Sequence, residues 1–420
     1  MKKLTDKALG LLKANKILVQ NFSYLSLIHV FNMLVPLLAY PYLIRVLGKE
    51  SYGLVVFAQA IVGYFVVIIG FGFNISATKA ISINRNDKHK LNEIVSSVIL
   101  LKGILLFISL LLFTVTIQFV DQAAPYKVLF YFTFVLCISE WLMPIWFFLG
   151  IENMKYITLL NVVSQSIFLA LIFVFIRNES DYLFYPIIMS SGPIIASIIG
   201  LYIVFKTHHI SFTFPKKSVL KFYLIDSLPI FSSNLSLKMY LGSNKVIIGS
   251  FLGMQDVAYY DLGEKFLNLL KIPITIISQV LFPKMAHSFN KNLLLKLIKI
   301  IAIGTVMLTM ALEYFTSTII KFFAGTDMLG ATTAVNILLL SVTPLVISNL
   351  LGVQTLLAKG YNKEFFKVVF SSLIVYLSYI AFCYLTNNLN LYTICISYVI
   401  VEVYMLVHFY LIVNKLKILK

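Results

Sequence analysis

The sequence predicts an all-α integral membrane protein of twelve transmembrane helices. Three observations lead there. Of 420 residues, 60% are hydrophobic and 12% are charged, with a mean hydropathy of +0.92. Soluble domains carry about 25% charged residues, and no soluble fold of this length hides so much apolar side chain behind a wet surface. Apolar stretches long enough to cross a bilayer, about 20 residues as a helix, recur from end to end. Lys and Arg gather in alternate loops between those stretches. Backbone amides in lipid need internal partners, which leaves helices or closed barrels. A barrel would show short segments of alternating polarity, and none is present.

The elements follow in order. Met1 to Lys16 is basic and weakly apolar. The apolar run from Ile17 past Leu43 is too long for a signal-peptide core and lacks a small-residue cleavage site, so it is expected to be a retained first helix. The first six spans are expected near 20–43, 53–76, 94–119, 127–149, 156–176 and 182–205. The second six are expected near 223–251, 257–285, 297–323, 329–357, 366–386 and 389–413. The seventh and eighth are the least hydrophobic.

Charge orients the bundle. The formal net charge is +17, from 34 Lys plus Arg against 17 Asp plus Glu. With the N-terminus in the cytoplasm, 24 basic residues fall inside. They come from the N-terminal segment, from Lys79–Lys90, Lys155, Lys206–Lys221, Lys284–Lys299 and Lys359–Lys367, and from the C-terminus. Five fall outside: Arg45, Lys49, Lys127, Arg177 and Lys321. That asymmetry sets both termini in the cytoplasm and requires an even number of spans. It also assigns the basic excess to an anionic membrane face rather than to nucleic acid. Cys137, Cys383 and Cys395 lie within apolar runs without metal-ligand spacing and read as small apolar fillers.

The longest inner loop, 206–222, holds Lys206, Pro215, Lys216, Lys217 and Lys221 at mid-chain. It is expected to link two six-helix lobes, 1–205 and 223–420. A short internal echo agrees. Leu47-Gly48, followed by Tyr52-Gly53, reappears 205 residues on as Leu252-Gly253, followed by Tyr259-Tyr260. Such pseudo-repeats are common in alternating-access carriers.

Ionisable residues interrupt several spans, each at a cost of about 2.5–3.5 kcal/mol on insertion scales, so they should face a bundle interior, water or each other. Asn234, Lys238 and Lys245 share one helical face; Asp261, Glu264 or Lys265, and Asn268 share another, with Lys271 close behind. Lys238, Lys245, Lys265 and Lys271 are therefore candidates to line a hydrated cavity for an anionic substrate. The competing reading is ion pairs that hold helices together, or lysines that snorkel from span ends. Glu140, Glu402 and Asp261 are candidates for ion coupling, as is His29, although packing or a simple hydrogen bond would also accommodate them. Arg45 is expected at a headgroup interface. Prolines 36, 41, 144, 193, 229, 273 and 344 fall in or at spans and are expected to kink them. No metal ligands or cofactor motif are expected. The absence of a phosphate-binding Gly-x-x-x-x-Gly-Lys-Ser/Thr loop argues against direct ATP coupling.

Several motifs occur together: Pro41-Tyr42-Leu43-Ile44-Arg45-Val46-Leu47-Gly48 with Tyr52-Gly53 and Gln59; Gly70-Phe71-Gly72-Phe73-Asn74-Ile75-Ser76-Ala77-Thr78; Pro144-Ile145-Trp146-Phe147-Phe148-Leu149-Gly150; Leu281-Phe282-Pro283-Lys284; and Gly352-Val353-Gln354. In that order and at those positions they resemble the bacterial polysaccharide-repeat-unit flippases. These are the O-antigen and capsule transporters of the multidrug/oligosaccharidyl-lipid/polysaccharide exporter superfamily. The resemblance covers nearly the whole chain. It implies two six-helix lobes around a central cavity that opens alternately to each side of a bacterial inner membrane. It implies a lipid-linked oligosaccharide substrate on undecaprenyl diphosphate, H⁺ or Na⁺ as a coupling ion, and a polysaccharide polymerase and chain-length regulator as partners. It gives the lysines a diphosphate to hold. It implies no enzymatic step. The alternatives are a cation-coupled multidrug exporter of the same superfamily and a membrane-embedded glycan polymerase or ligase. The latter usually has large external loops, which this chain lacks.

Overall fold

In the computed structural model, residues 16–287 and 289–418 are described. Among them the chain is helical with no strand, and nine segments are long and apolar enough to cross a membrane. It is an all-α, multi-pass membrane protein. The basic segment before Lys16 lies outside the described residues. So does the side chain of His29, whose backbone is helical.

The first helix, α1 (Lys16–Gly70), runs through Pro36 and Pro41 and is interrupted at Gly48 (φ 69°, ψ 169°). The outer loop expected between the first two spans is thereby reduced to a sharp break at one residue. Only glycine adopts that conformation without strain. The second span also ends early. Phe71 (φ 43°) and Gly72 (φ 78°) turn the chain, and α2 (Phe73–Ile83) follows as a separate helix. Asp87 caps α3 (Lys88–Thr116) by accepting from the Lys90 amide at 3.1 Å.

The expected span 127–149 is not one helix. It divides into α4 (Lys127–Phe134), α5 (Leu136–Leu142) and α6 (Ile145–Gly150). Pro144 lies between the last two, where a missing amide costs no helical bond. The chain continues as α7 (Met154–Phe175) and α8 (Tyr185–Tyr202), the latter ending in a π-helical turn at Ile203–Thr207.

The seventh and eighth expected spans lie in α9 (Lys217–Phe251) and α10 (Met254–His287). Both are long helices, and neither is among the nine apolar segments. Then come α11 (Lys291–Ala324), α12 (Thr332–Leu339), α13 (Val342–Leu351), a π-helical turn at Gly352–Leu357, α14 (Asn362–Leu385) and α15 (Leu391–Lys415). The tenth expected span, 329–357, is broken as the fourth is. A 3₁₀ turn and helix at Asp121–Tyr126 and Lys127–Phe134 reappear 205 residues later at Thr326–Ala331 and Thr332–Leu339. That is the offset of the Leu-Gly echo.

Two compact units divide the chain. The first comprises residues 1–47 and 58–238; the second comprises 48–57 and 239–420. In the first unit a buried core joins Phe73, Ile81, Ile94, Val98, Trp146 and Phe148. In the second, Leu351, Val368, Phe409 and Val413 form one cluster. The outer face of α11 carries Ile300, Ile303, Met307, Met310 and Tyr314 exposed at three- and four-residue spacing, while Thr309 and Thr316 point inward. An apolar stripe outside and small polar groups inside suit lipid on one side and helices on the other.

Candidate functional site

The second unit gathers ionisable and phenolic side chains from five elements. Segment 48–57 supplies Tyr52, α9 supplies Asn244 and Lys245, and α10 supplies Tyr260, Asp261, Glu264, Lys265 and Lys271. Tyr376 comes from α14, and Tyr398 and Glu402 come from α15. Asp261, Glu264 and Lys265 share a face because they stand three and four positions apart.

Lys245 ties α9 to α10. Its ammonium donates to Asp261 Oδ1 at 2.7 Å and pairs with Glu264. Lys265 donates to Asp261 Oδ2 at 2.5 Å, and the Tyr52 hydroxyl donates to the same oxygen at 2.8 Å. Asp261 is 3% exposed, so a carboxylate there depends on these donors. Two ammonium and two carboxylate groups cancel, and in this arrangement the cluster offers no net positive charge to an anion. Beside it, Tyr376 donates to Asn244 Oδ1 at 2.6 Å, and Asn244 Nδ2 donates to the Tyr260 hydroxyl at 2.8 Å.

Lys271 lies apart from that cluster. It donates to the Tyr398 hydroxyl at 2.8 Å, and Tyr398 in turn hydrogen-bonds the Glu402 carboxylate one turn along α15. Glu402 is 4% exposed. Lys271, Tyr398 and Glu402 thus form a chain of hydrogen bonds with both an acid and a base in it.

In the first unit, Lys238 rests with its ammonium 5.7 Å from the Tyr64 ring centre, a cation–π arrangement. Gly63 makes the room: a Cβ there would stand 2.6 Å from Lys238 Nζ. Glu140 does not stand alone. It accepts from Lys102 at 2.9 Å, and the Lys102 side chain is 1% exposed. Gly70, two turns beyond Gly63 on α1, admits the Glu140 carboxylate, since a Cβ there would lie 3.1 Å from its Oε1.

Of the sequence candidates, the fold therefore brings together Lys245, Lys265 and Asp261, and separately Lys271 and Glu402. It sets Lys238 against Tyr64 and Glu140 against Lys102. Sequence reasoning missed the phenols and Asn244. With 24 tyrosines in the chain, spacing alone does not mark these five. The one available signal was the echo that pairs Tyr52 with Tyr259-Tyr260. Among the described residues no group of three or more His, Cys, Asp and Glu side chains could hold a metal ion.

Residues 18–289 match the family described as Polysaccharide biosynthesis protein. The chain belongs to that family. A relative from Escherichia coli (strain K12), assigned as an O-antigen transporter, is 28% identical over 86% of this chain and 89% of its own length. One from Shigella dysenteriae with the same assignment is 23% identical over 86% of this chain and 91% of its own. Among solved structures, an inward-facing multidrug resistance MATE family transporter of the MOP superfamily shares the fold of this chain. The TM-score is 0.72 at 16% identity, over 95% of this chain and 98% of that one. The lipid II flippase MurJ in an inward closed conformation gives 0.73 at 14% identity, over 93% and 87%. By name these relatives are transporters and flippases, not enzymes.

Proposed function

We propose that this chain is a flippase that moves an undecaprenyl-diphosphate-linked oligosaccharide repeat unit across the bacterial cytoplasmic membrane by alternating access. It is a transporter, not an enzyme: the task is to shelter a polar headgroup while the polyprenyl tail stays in lipid, and no bond is made or broken. The observation that carries the reading is the match to assigned O-antigen transporters over 86% of the chain. The drug-exporter alternative has the likeness of fold but not these sequence relatives.

The same proposal includes twelve spans in two six-helix lobes, 1–205 and 223–420, joined by 206–222 around a central cavity, with both termini cytoplasmic. Lys238 and Lys271 receive the diphosphate, each as a point charge beside a phenol. Lys245 and Lys265 are held by Asp261 and Glu264 and shape that region rather than bind in the resting state. Glu402, linked to Lys271 through Tyr398, is the group through which H⁺ or Na⁺ couples to substrate. A polysaccharide polymerase and chain-length regulator take the product on the outer face.

A deletion strain tests the function. Lipid-linked repeat units should accumulate on the cytoplasmic side and surface glycan should disappear, both restored by the intact gene. Normal surface glycan in a strain with no second transporter would sink the reading. Within it, Lys238→Ala should lower export several-fold at unchanged protein level; unchanged export would make Lys238 a structural group.

A further inference from the structure

The segment between α8 and α9 is bound to its own unit in a regular way. After the π-helical turn, His209 (φ 52°) redirects the chain, and residues 210–216 run without helical structure. Ile210 is buried in the core with Ile94 and Val98. The Ser211 amide donates to Asn92 Oδ1 at 2.9 Å and the Thr213 amide donates to Ser96 Oγ at 2.9 Å. Two residues of extended chain advance about 6.8 Å, and four residues of helix advance about 6.0 Å. Alternate amides of the segment therefore meet successive turns of α3. The connection is a strap laid along a helix, not a loose loop.

What the strap presents is unusual for a surface connection. Its apolar side chains alternate with Ser211 and Thr213, and beyond Ile210 they leave the core. Phe212 is 44% exposed and Phe214 is 87% exposed, their rings edge to face at 5.3 Å. Lys206, Lys216, Lys217 and Lys221 flank them and are all exposed. Exposed phenyl rings forgo the gain that an apolar environment would give them. The strap also starts directly at the end of the membrane-spanning segment Tyr185–Thr207, so only a few residues separate it from the bilayer edge. Phenyl rings flanked by lysines along the chain, this close to the end of an apolar segment, match the two layers of a lipid surface: acyl boundary and phosphate.

We propose that this strap is a docking surface for anionic phospholipid. Phe212 and Phe214 enter the boundary between headgroups and acyl chains, and Lys206, Lys216, Lys217 and Lys221 engage lipid phosphodiesters. The Asn92 and Ser96 hydrogen bonds hold the strap flat so that rings and ammonium groups reach the same leaflet.

The test uses the full chain in proteoliposomes, with a nitroxide at Ser218→Cys, an exposed position that leaves both rings intact. The three native cysteines are buried, and the unsubstituted chain is the labelling control. Power-saturation spectroscopy reads the label's collisions with oxygen against those with a water-soluble nickel chelate. Adding phosphatidylglycerol to phosphatidylcholine bilayers should raise the oxygen-to-nickel ratio. Lys216→Gln with Lys217→Gln should abolish that rise, and Phe212→Ser with Phe214→Ser should lower the ratio in both bilayers, with thermal stability unchanged in each variant. A ratio indifferent to phosphatidylglycerol overturns the proposal. So does a rise that survives loss of the lysines. A rise produced by added undecaprenyl diphosphate and not by phosphatidylglycerol would assign the strap to a polyprenyl diphosphate instead and likewise overturn it.

Discussion

Lys102 has a 1% exposed side chain and one acidic neighbour, Glu140, so removing either partner alone strands a charge. Lys102→Met should cost about 3–5 kcal/mol, as for other buried pairs, and adding Glu140→Leu should recover most of it. Melting curves of the purified single and double variants check this, and export by the double variant decides whether Glu140 does more than pair. Retained export in a restored fold makes the pair structural; lost export in a restored fold gives the pair a part in transport. His208, just past the end of α8, is a second informative residue. It packs against Phe147 and Tyr156 with ring centres 5.3 and 5.9 Å away, and its Nε2 is buried without a partner. Burial, helped by neighbouring His209, holds the imidazole below its ordinary value of 6.5. The folded state then binds fewer protons there than the unfolded state. The stability this contributes is present above about pH 6.5 and is lost as pH falls through the lower folded value. The melting temperature should fall between about pH 7.5 and pH 5.5, and His208→Phe should flatten that slope. An equal slope in the variant would place the titration elsewhere.

Helices pack closely where glycine lets them. At Gly192 on α8 a Cβ would stand 2.2 Å from the Ser164 carbonyl oxygen of α7, so Gly192→Ala must part the two helices. At Gly304, in the middle of α11, a Cβ would meet nothing within 4 Å. Gly192→Ala should lower the melting temperature by several degrees, while Gly304→Ala should leave it unchanged or raise it, because alanine favours the helix by up to about 1 kcal/mol. Similar losses from both would mean that the loss at Gly192 does not come from its close contact with α7. Element breaks were the part of the fold that hydropathy could not reveal. The stretch of 23 residues at 127–149 reads as one span, and it does lie within one apolar segment, yet its backbone leaves the helical region at Met143-Pro144. Pro144 marked that break, but the helices continue through Pro36, Pro41, Pro193 and Pro229. Whether a proline ends a helix depends on what its freed carbonyl meets, and that is tertiary. The ion pairs were half legible for a related reason. Spacing put Asp261 and Lys265 on one face, but only packing of α9 on α10 brings Lys245 to them.

At the scale of the whole molecule, the basic loops predict an orientation for the chain, and that orientation is directly testable. Single cysteines at the exposed positions Ala124, Glu179 and Asn388 should react with an impermeant maleimide in intact cells. Cysteines at Asn86, Ser218 and Lys363 should react only once the membrane is permeabilised. Reversal of Asn388 and Lys363 alone would reveal an odd number of spans between Ser218 and Lys363. The division of the sequence between the two units has a consequence for biogenesis. The first unit needs residues 217–238, which are made after all its other parts, and the second unit claims residues 48–57, which are made long before the rest of it. A nascent chain that has delivered residues 1–216 is therefore still missing a piece of its first unit, and it already displays a piece owed to the second. Neither unit can be completed until α9 has left the ribosome. A nonsense mutation within the strap yields no usable half.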